Sequence, residues 1–193
     1  MLKSGPRLII ISSVSGGGKT SLISRLIRDH SDLHVAVTAT SRAPRPNEVD
    51  GQHYYFYSPE EFERKIAAHE FLEFARVHGN YYGVPAAPVE KKLAEGISVI
   101  LNIDVQGMRT IKERLGERVL SIFLLPPDRT VWEERLRKRG TDSEEDIELR
   151  LEQGIGEMAA ADEYDYQVIN DMLEKATGEV SFILRQEGVV RDA

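Results

Sequence analysis

At 193 residues and 21.8 kDa, 41% hydrophobic and 30% charged, the chain is long enough for one well-buried domain with inserted lobes and too short for two ordinary ones. A net charge of -7 argues against a nucleic-acid-binding surface, and the absence of cysteine excludes disulfides and thiolate metal sites. No apolar run reaches the roughly eighteen residues of a membrane span, and the N-terminus passes directly into an apolar strand, so a cytoplasmic protein that engages neither nucleic acid nor membrane is expected.

The first predicted element is a strand, Leu8-Ile9-Ile10-Ile11, whose continuous apolar run implies burial on both faces. It breaks into Ser12-Ser13-Val14-Ser15-Gly16-Gly17-Gly18-Lys19-Thr20-Ser21, after which Leu22, Ile23, Leu26 and Ile27 recur at helical spacing as far as Asp29. Strand, glycine loop, Lys-Thr and helix make a phosphate-binding loop. Glycine lets backbone N–H groups approach a polyphosphate, and the helix N-terminus adds partial positive charge. Lys19 then reaches the β- and γ-phosphates, and the Thr20 hydroxyl is the expected Mg²⁺ ligand. The loop departs from the usual pattern in one place: Ser13 stands where the first glycine belongs.

A strand is expected over His34 to Thr38, followed by a loop, Ala39 to Gly51, that carries Arg42 and Arg45 among prolines. Strands over Gln52 to Tyr57 and Phe71 to Val77 flank a short helix, Pro59 to Ala68, with Ser58 as its N-cap. Asn80 to Pro85 reads as a turn, and a helix follows to about Glu95. The stretch from 38 to 95 lacks a regular β-α alternation and reads as an inserted lobe.

The alternation resumes with strands over Ile97 to Asp104 and Val119 to Leu125, separated by a helix over Gln106 to Leu115. A helix capped by Asp128 runs to Lys138, Gly140 ends it, and a second helix capped by Ser143 spans Glu144 to Met158. This helix pair, with basic residues near its tip, has the composition of a lid that folds over phosphates. Tyr166 to Asn170 forms the last strand and Leu173 to Leu184 a closing helix. The class is therefore α/β: a parallel sheet flanked by helices, with ligands at the carboxyl ends of its strands. That places Asp104 beside the phosphate loop.

Three groups of side chains need an anion or a base to explain them. Arg42, Arg45, Tyr54 and Tyr82 suit one phosphate, since guanidinium groups meet phosphate oxygens bidentately. Glu73 and Thr38 suit a nucleobase. Arg135, Arg139 and Arg150 suit a phosphate in transfer. Each group has a plainer alternative: lid arginines pairing with Glu144, Glu145 and Glu148, tyrosines that merely pack, and a glutamate on the polar face of a strand.

From Leu8 to about Asn170 the chain closely resembles the guanylate kinase family. The most specific segments are Thr40-Ser41-Arg42-Ala43-Pro44-Arg45 with Glu48-Val49-Asp50-Gly51, then Gly79-Asn80-Tyr81-Tyr82-Gly83, and Ile103-Asp104-Val105-Gln106-Gly107. The resemblance implies a P-loop NTPase fold and Mg²⁺-dependent transfer of a phosphoryl group from ATP to GMP. It implies a core over 1–37, 96–130 and 160–193, a small α+β GMP-binding lobe over 38–95, and a helical lid over about 135–158. Catalytic roles fall on Lys19, Arg42, Arg135, Arg139 and Arg150. The ATP site comprises Ser13, Val14, Ser15, Gly16, Gly17, Gly18, Lys19 and Thr20, with Arg135, Arg139 and, on the adenine side, Asn170.

The GMP site comprises Thr38, Arg42, Arg45, Tyr54, Glu73, Tyr82, Gly83, Val84 and Asp104, where Glu73 accepts from guanine N1–H and the 2-amino group. Val84 stands where many members have a hydroxyl residue, Asn102 replaces an acid, and Val14 replaces a proline. Two rivals remain: a non-catalytic module that captures phosphopeptides, which typically loses the loop lysine and lid arginines, and a kinase for another phosphorylated acceptor.

Overall fold

The structure is a computed structural model that describes residues 5–77, 79–138 and 143–190. Its centre is β1 (Leu8–Ser13), whose side chains alternate with period two between separate cores. Leu8 and Ile10 join one cluster with Met108, Ile111, Trp132 and Leu151; Ile9 and Ile11 join the other with Leu22, Leu26, Ala176 and Val180. Both faces are covered, which is why the strand is apolar throughout.

Around β1 lie β2 (Leu33–Val35), β7 (Ser98–Asn102), β8 (Val119–Leu125) and β9 (Tyr166–Ile169), in the order β2-β7-β1-β8-β9 and all parallel. Helices α1 (Lys19–Asp29) and α7 (Leu173–Gln186) supply one apolar layer, and α4 (Val105–Leu115), α5 (Arg129–Arg137) and α6 (Glu144–Met158) contribute to the other. Asp128 and Ser143 cap α5 and α6 as expected, the latter through a reciprocal box with Asp146.

A second sheet, ordered β4-β3-β6-β5, is built from β3 (Ala39–Thr40), β4 (Tyr55–Phe56), β5 (Phe71–Val77) and β6 (Asn80–Pro85). Helix α2 (Pro59–Ala67) is capped by Ser58 Oγ, which accepts from the Glu61 N–H at 3.1 Å. It seats Phe62 between the rings of Phe71 and Tyr81, with centroids 4.4 and 5.2 Å away. Helix α3 (Ala86–Ala94) leads back to β7.

Several expectations change: the loop expected over Ala39 to Gly51 opens with β3, and the strand expected over Gln52 to Tyr57 shortens to Tyr55–Phe56. The single strand expected over His34 to Thr38 ends at Val35, and residues 36–38 cross from the large sheet to β3 in the small one. The Ala36 N–H ends the pairing with β7 on Ile100 O (2.9 Å), and Thr38 O already accepts from Tyr55 in the small sheet (2.9 Å). Asn80 to Pro85 is a strand rather than a turn, because pairing with β5 from Val77↔Asn80 to Phe71↔Pro85 overrides its turn-like composition.

Candidate active site

Every strand of the large sheet points its carboxyl end at the same edge, so the segments after β1, β7 and β9 meet there. After β1 the Gly17 N–H donates to Val14 O (3.0 Å), and Gly18, at φ 87, caps α1 with no side-chain acceptor. The first amides of α1 therefore have no cap but a ligand or water, the condition for binding an anion. Any other residue at Gly18 is strained by its left-handed backbone, and a Cβ there would push Asn170 Nδ2 off the loop. Ser13 in the first glycine's place is accommodated, its hydroxyl donating to Val14 O (3.1 Å).

Lys19 opens α1 and reaches Ile103 O at 3.5 Å. Desolvation pushes its pKa down to about 8, with Asp104 and the half-buried Glu157 of α6 opposing the shift. Thr20 follows, exposed, in the first turn. Arg150 crosses from α6 to donate to Ser15 Oγ (3.0 Å). Arg135 donates through Nη2 to Asp171 O (2.9 Å), while its Nη1 is buried without a partner. Asn170, expected on the adenine side, instead donates from Nδ2 to Gly17 O (2.8 Å) and so braces the loop; its Oδ1 is buried and unpaired. Arg139 lies outside the described residues.

A cavity of about 270 Å³ opens between the two sheets, lined by Thr38, Tyr54, Glu73, Tyr82, Gly83 and Asp104 together with Asn102. Glu73 is 9% exposed, and burial, reinforced by the charge of Asp104, raises its carboxyl to about 7. Asp104 is fixed as the N-cap of α4, accepting from the Gly107 N–H at 2.8 Å.

Beside the cavity the Arg42 guanidinium lies 5.5 Å from the centroid of Tyr54, whose ring stands edge-on to Tyr82. Its two terminal nitrogens grip Glu48 at 2.9 and 2.8 Å, and Glu48 also accepts the Arg45 N–H at 2.7 Å. This pairing holds the Glu48 carboxyl down at about 2. Arg45 contributes that backbone N–H while its residue stays exposed. Val84 does not line the cavity: it is fully buried in the apolar cluster with Leu72 and Val89, so a hydroxyl there would enter a core, not meet a base.

Glu48, Glu157 and Trp132 were not candidates from sequence. Glu48 sat inside a recognisable motif, whereas Glu157 and Trp132 had no local signal and come to the site only through the packing of α5 and α6.

The two halves meet at Asp104, whose charge acts on Lys19 on one side and on Glu73 on the other. The sequence model of guanylate kinase matches residues 5–187. The chain belongs to the guanylate kinase family. It is 47% identical to the guanylate kinase of Xylella fastidiosa over 176 residues, 91% of this chain and 86% of that one. The guanylate kinase of Carboxydothermus hydrogenoformans is 44% identical over 93% of this chain and 88% of its own. The crystal structure of guanylate kinase from Anaplasma phagocytophilum superposes with a TM-score of 0.77 at 34% identity, covering 97% of this chain and 88% of that one. Family membership makes the chain a nucleoside monophosphate kinase, an ATP:GMP phosphotransferase. Among the described residues no helix is long and apolar enough to cross a membrane.

A pH dependence follows from Lys19. Its ammonium in the empty site is lost above about pH 8, whereas a bound phosphate would hold the proton to higher pH. The value of kcat/KM for ATP is therefore expected to fall above about pH 8 while kcat at saturating ATP holds to higher pH. Steady-state pH profiles check this; parallel declines of both parameters would contradict it.

Proposed function

We propose that the chain transfers the γ-phosphoryl group of ATP to GMP, and to dGMP, in the presence of Mg²⁺, and serves guanine nucleotide turnover in the cytoplasm. The observation that carries this is the convergence on Asp104 of a phosphate loop and a base-sized cavity with a buried carboxylate. The ATP phosphates lie on the amides of Val14 to Thr20, and the unpaired Arg135 Nη1 and Asn170 Oδ1 are the buried polar atoms on that side still short of a partner. Guanine enters the cavity, where ionised Glu73 accepts from N1–H and the 2-amino group and Thr38 meets O6. Adenine, with a lone pair at N1 and no 2-amino group, would leave Glu73 unpaired and repelled. The GMP phosphate is held by Arg42, Arg45, Tyr54 and Tyr82.

An oxygen of that phosphate attacks the γ-phosphorus, the bond to the bridging oxygen of ATP breaks, and ADP leaves. The acceptor is already an anion, so no general base is required. Lys19 and the lid arginines Arg135, Arg139 and Arg150 neutralise the migrating charge. Thr20 would hold Mg²⁺ with the nucleotide's own oxygens and water, a donor set that matches the exposed hydroxyl on the first turn of α1 and needs no acidic cage. The metal supplies further neutralisation of phosphate charge. We assign residues 38–95 to a GMP lobe and about 135–158 to a lid, with the core over 1–37, 96–130 and 160–193; their closure would exclude water.

An ADP-release assay with ATP, Mg²⁺ and each of GMP, dGMP, AMP, UMP and IMP tests the reading. Turnover with GMP and dGMP, slower turnover with IMP and none with AMP or UMP is the expected result. Binding of GMP without turnover would favour the phosphate-capturing module instead.

A further inference from the structure

The phosphate loop is held from outside by a tryptophan. Trp132, the chain's sole tryptophan, lies on α5, is 1% exposed, and donates from Nε1 to the carbonyl of Ser15 at 2.7 Å. The same serine takes the Arg150 guanidinium on its hydroxyl at 3.0 Å, so both lid helices touch one residue of the loop. The fit of the indole is specific: a Cβ on Gly154 of α6 would overlap its six-membered ring, and the ring's Cδ1 lies 3.5 Å from where a Gly16 Cβ would stand.

The consequence lies in the peptide plane. In a trans peptide the carbonyl of one residue and the N–H of the next point in opposite directions within one rigid unit. Fixing Ser15 O on Trp132 therefore fixes the direction of the Gly16 N–H, as Asn170 on Gly17 O (2.8 Å) fixes that of Gly18. Neither N–H has a backbone acceptor among the described residues. A loop with three consecutive glycines has little stiffness of its own. It needs external bonds to present its amides in one arrangement before the nucleotide arrives.

We infer that Trp132 is a positioning residue for the ATP phosphates, acting through its indole N–H to orient the peptide between Ser15 and Gly16. The inference rests on the assignment of this loop to ATP. It separates the hydrogen bond from mere packing, since a ring of the same shape without the N–H would keep the second and lose the first.

Because Trp132 is the only tryptophan, β-(3-benzothienyl)alanine, which carries sulfur in place of the indole N–H, can replace it residue-specifically in a tryptophan auxotroph. Isothermal titration of ATP is expected to show a Kd raised about 5- to 10-fold, from losing the preorganised amide, with the Kd for GMP within about twofold; the melting temperature should drop by only about 2–5 °C, since the bond is also made in the empty protein. Gly154→Ala, which must displace the indole, is expected to weaken ATP at least as much. An unchanged Kd for ATP in the benzothienyl protein, or equal losses for ATP and GMP, would overturn the inference and leave Trp132 a packing residue. Unsubstituted protein that binds ATP but fails to phosphorylate GMP would sink the functional reading while leaving this comparison intact.

Discussion

Lys19→Ala is expected to lower kcat with GMP by about 10³-fold, the loss typical of removing a preorganised charge from a site where anionic charge develops. The Kd for GMP should stay within about twofold. The structure explains why one side chain carries so much. Among the described residues the Lys19 ammonium has only a 3.5 Å contact with Ile103 O, and desolvation holds its pKa near 8. An ammonium so poorly solvated gains more from an incoming phosphate than one already surrounded by water, and nothing has to be reorganised to deliver it. Arg135 and Arg150 are engaged with the Asp171 carbonyl and the Ser15 hydroxyl, respectively, so they do not duplicate it before ATP binds. Steady-state ADP release beside a GMP titration makes the measurement. A variant that keeps more than about a tenth of kcat would shift the task to the lid arginines.

Glu73→Gln should separate recognition from stability. Loss of two charge-assisted bonds to guanine is expected to lower kcat/KM for GMP by roughly 10²- to 10³-fold, with discrimination against AMP reduced in step. The empty protein should nevertheless become more stable. The folded pKa of Glu73, about 7, lies above its ordinary value of 4.5. Its contribution to stability is therefore complete below about pH 4.5 and is lost as pH rises through 7. At pH 8 the buried carboxylate costs on the order of 3 kcal/mol, which glutamine relieves. Urea titrations of both proteins at pH 5 and pH 8 show this: the advantage of the variant should be present at the higher pH and shrink at the lower. A variant less stable at pH 8 would mean that Glu73 is structurally required in its ionised form.

Much of this was legible in the sequence because the decisive residues obey local rules. The run Leu8 to Ile11, the glycines after it, and the caps at Ser58, Asp128 and Ser143 each imply their element from neighbours alone, and Val119 to Leu125 and Glu144 to Met158 came out at their expected bounds. What failed depended on partners distant in sequence. Asn80 to Pro85 became a strand only because β5 lies beside it, and the stretch from His34 to Thr38 divides because its ends pair with different sheets. The side chains followed the same division. Glu73, Tyr54 and Tyr82, picked out from sequence, line one cavity, whereas Val84 packs into a core and Asn170 braces the loop. Trp132 was invisible, since a tryptophan on a helix gives no hint that its N–H will find Ser15, far earlier in the chain.

The grip of Arg42 on Glu48 gives the acceptor side a stopper of its own. With that carboxylate in place, a phosphate ion meets no bare guanidinium at Arg42; there it would have to evict an anion already bound through two nitrogens, an exchange that yields little net gain. A mononucleotide arrives with a second source of free energy, its base in the cavity beyond, which can drive the eviction. On the proposed assignment of Arg42 to the acceptor phosphate, inorganic phosphate and small metabolite anions are expected to be poor competitors, because the ion pair is already present in the empty protein.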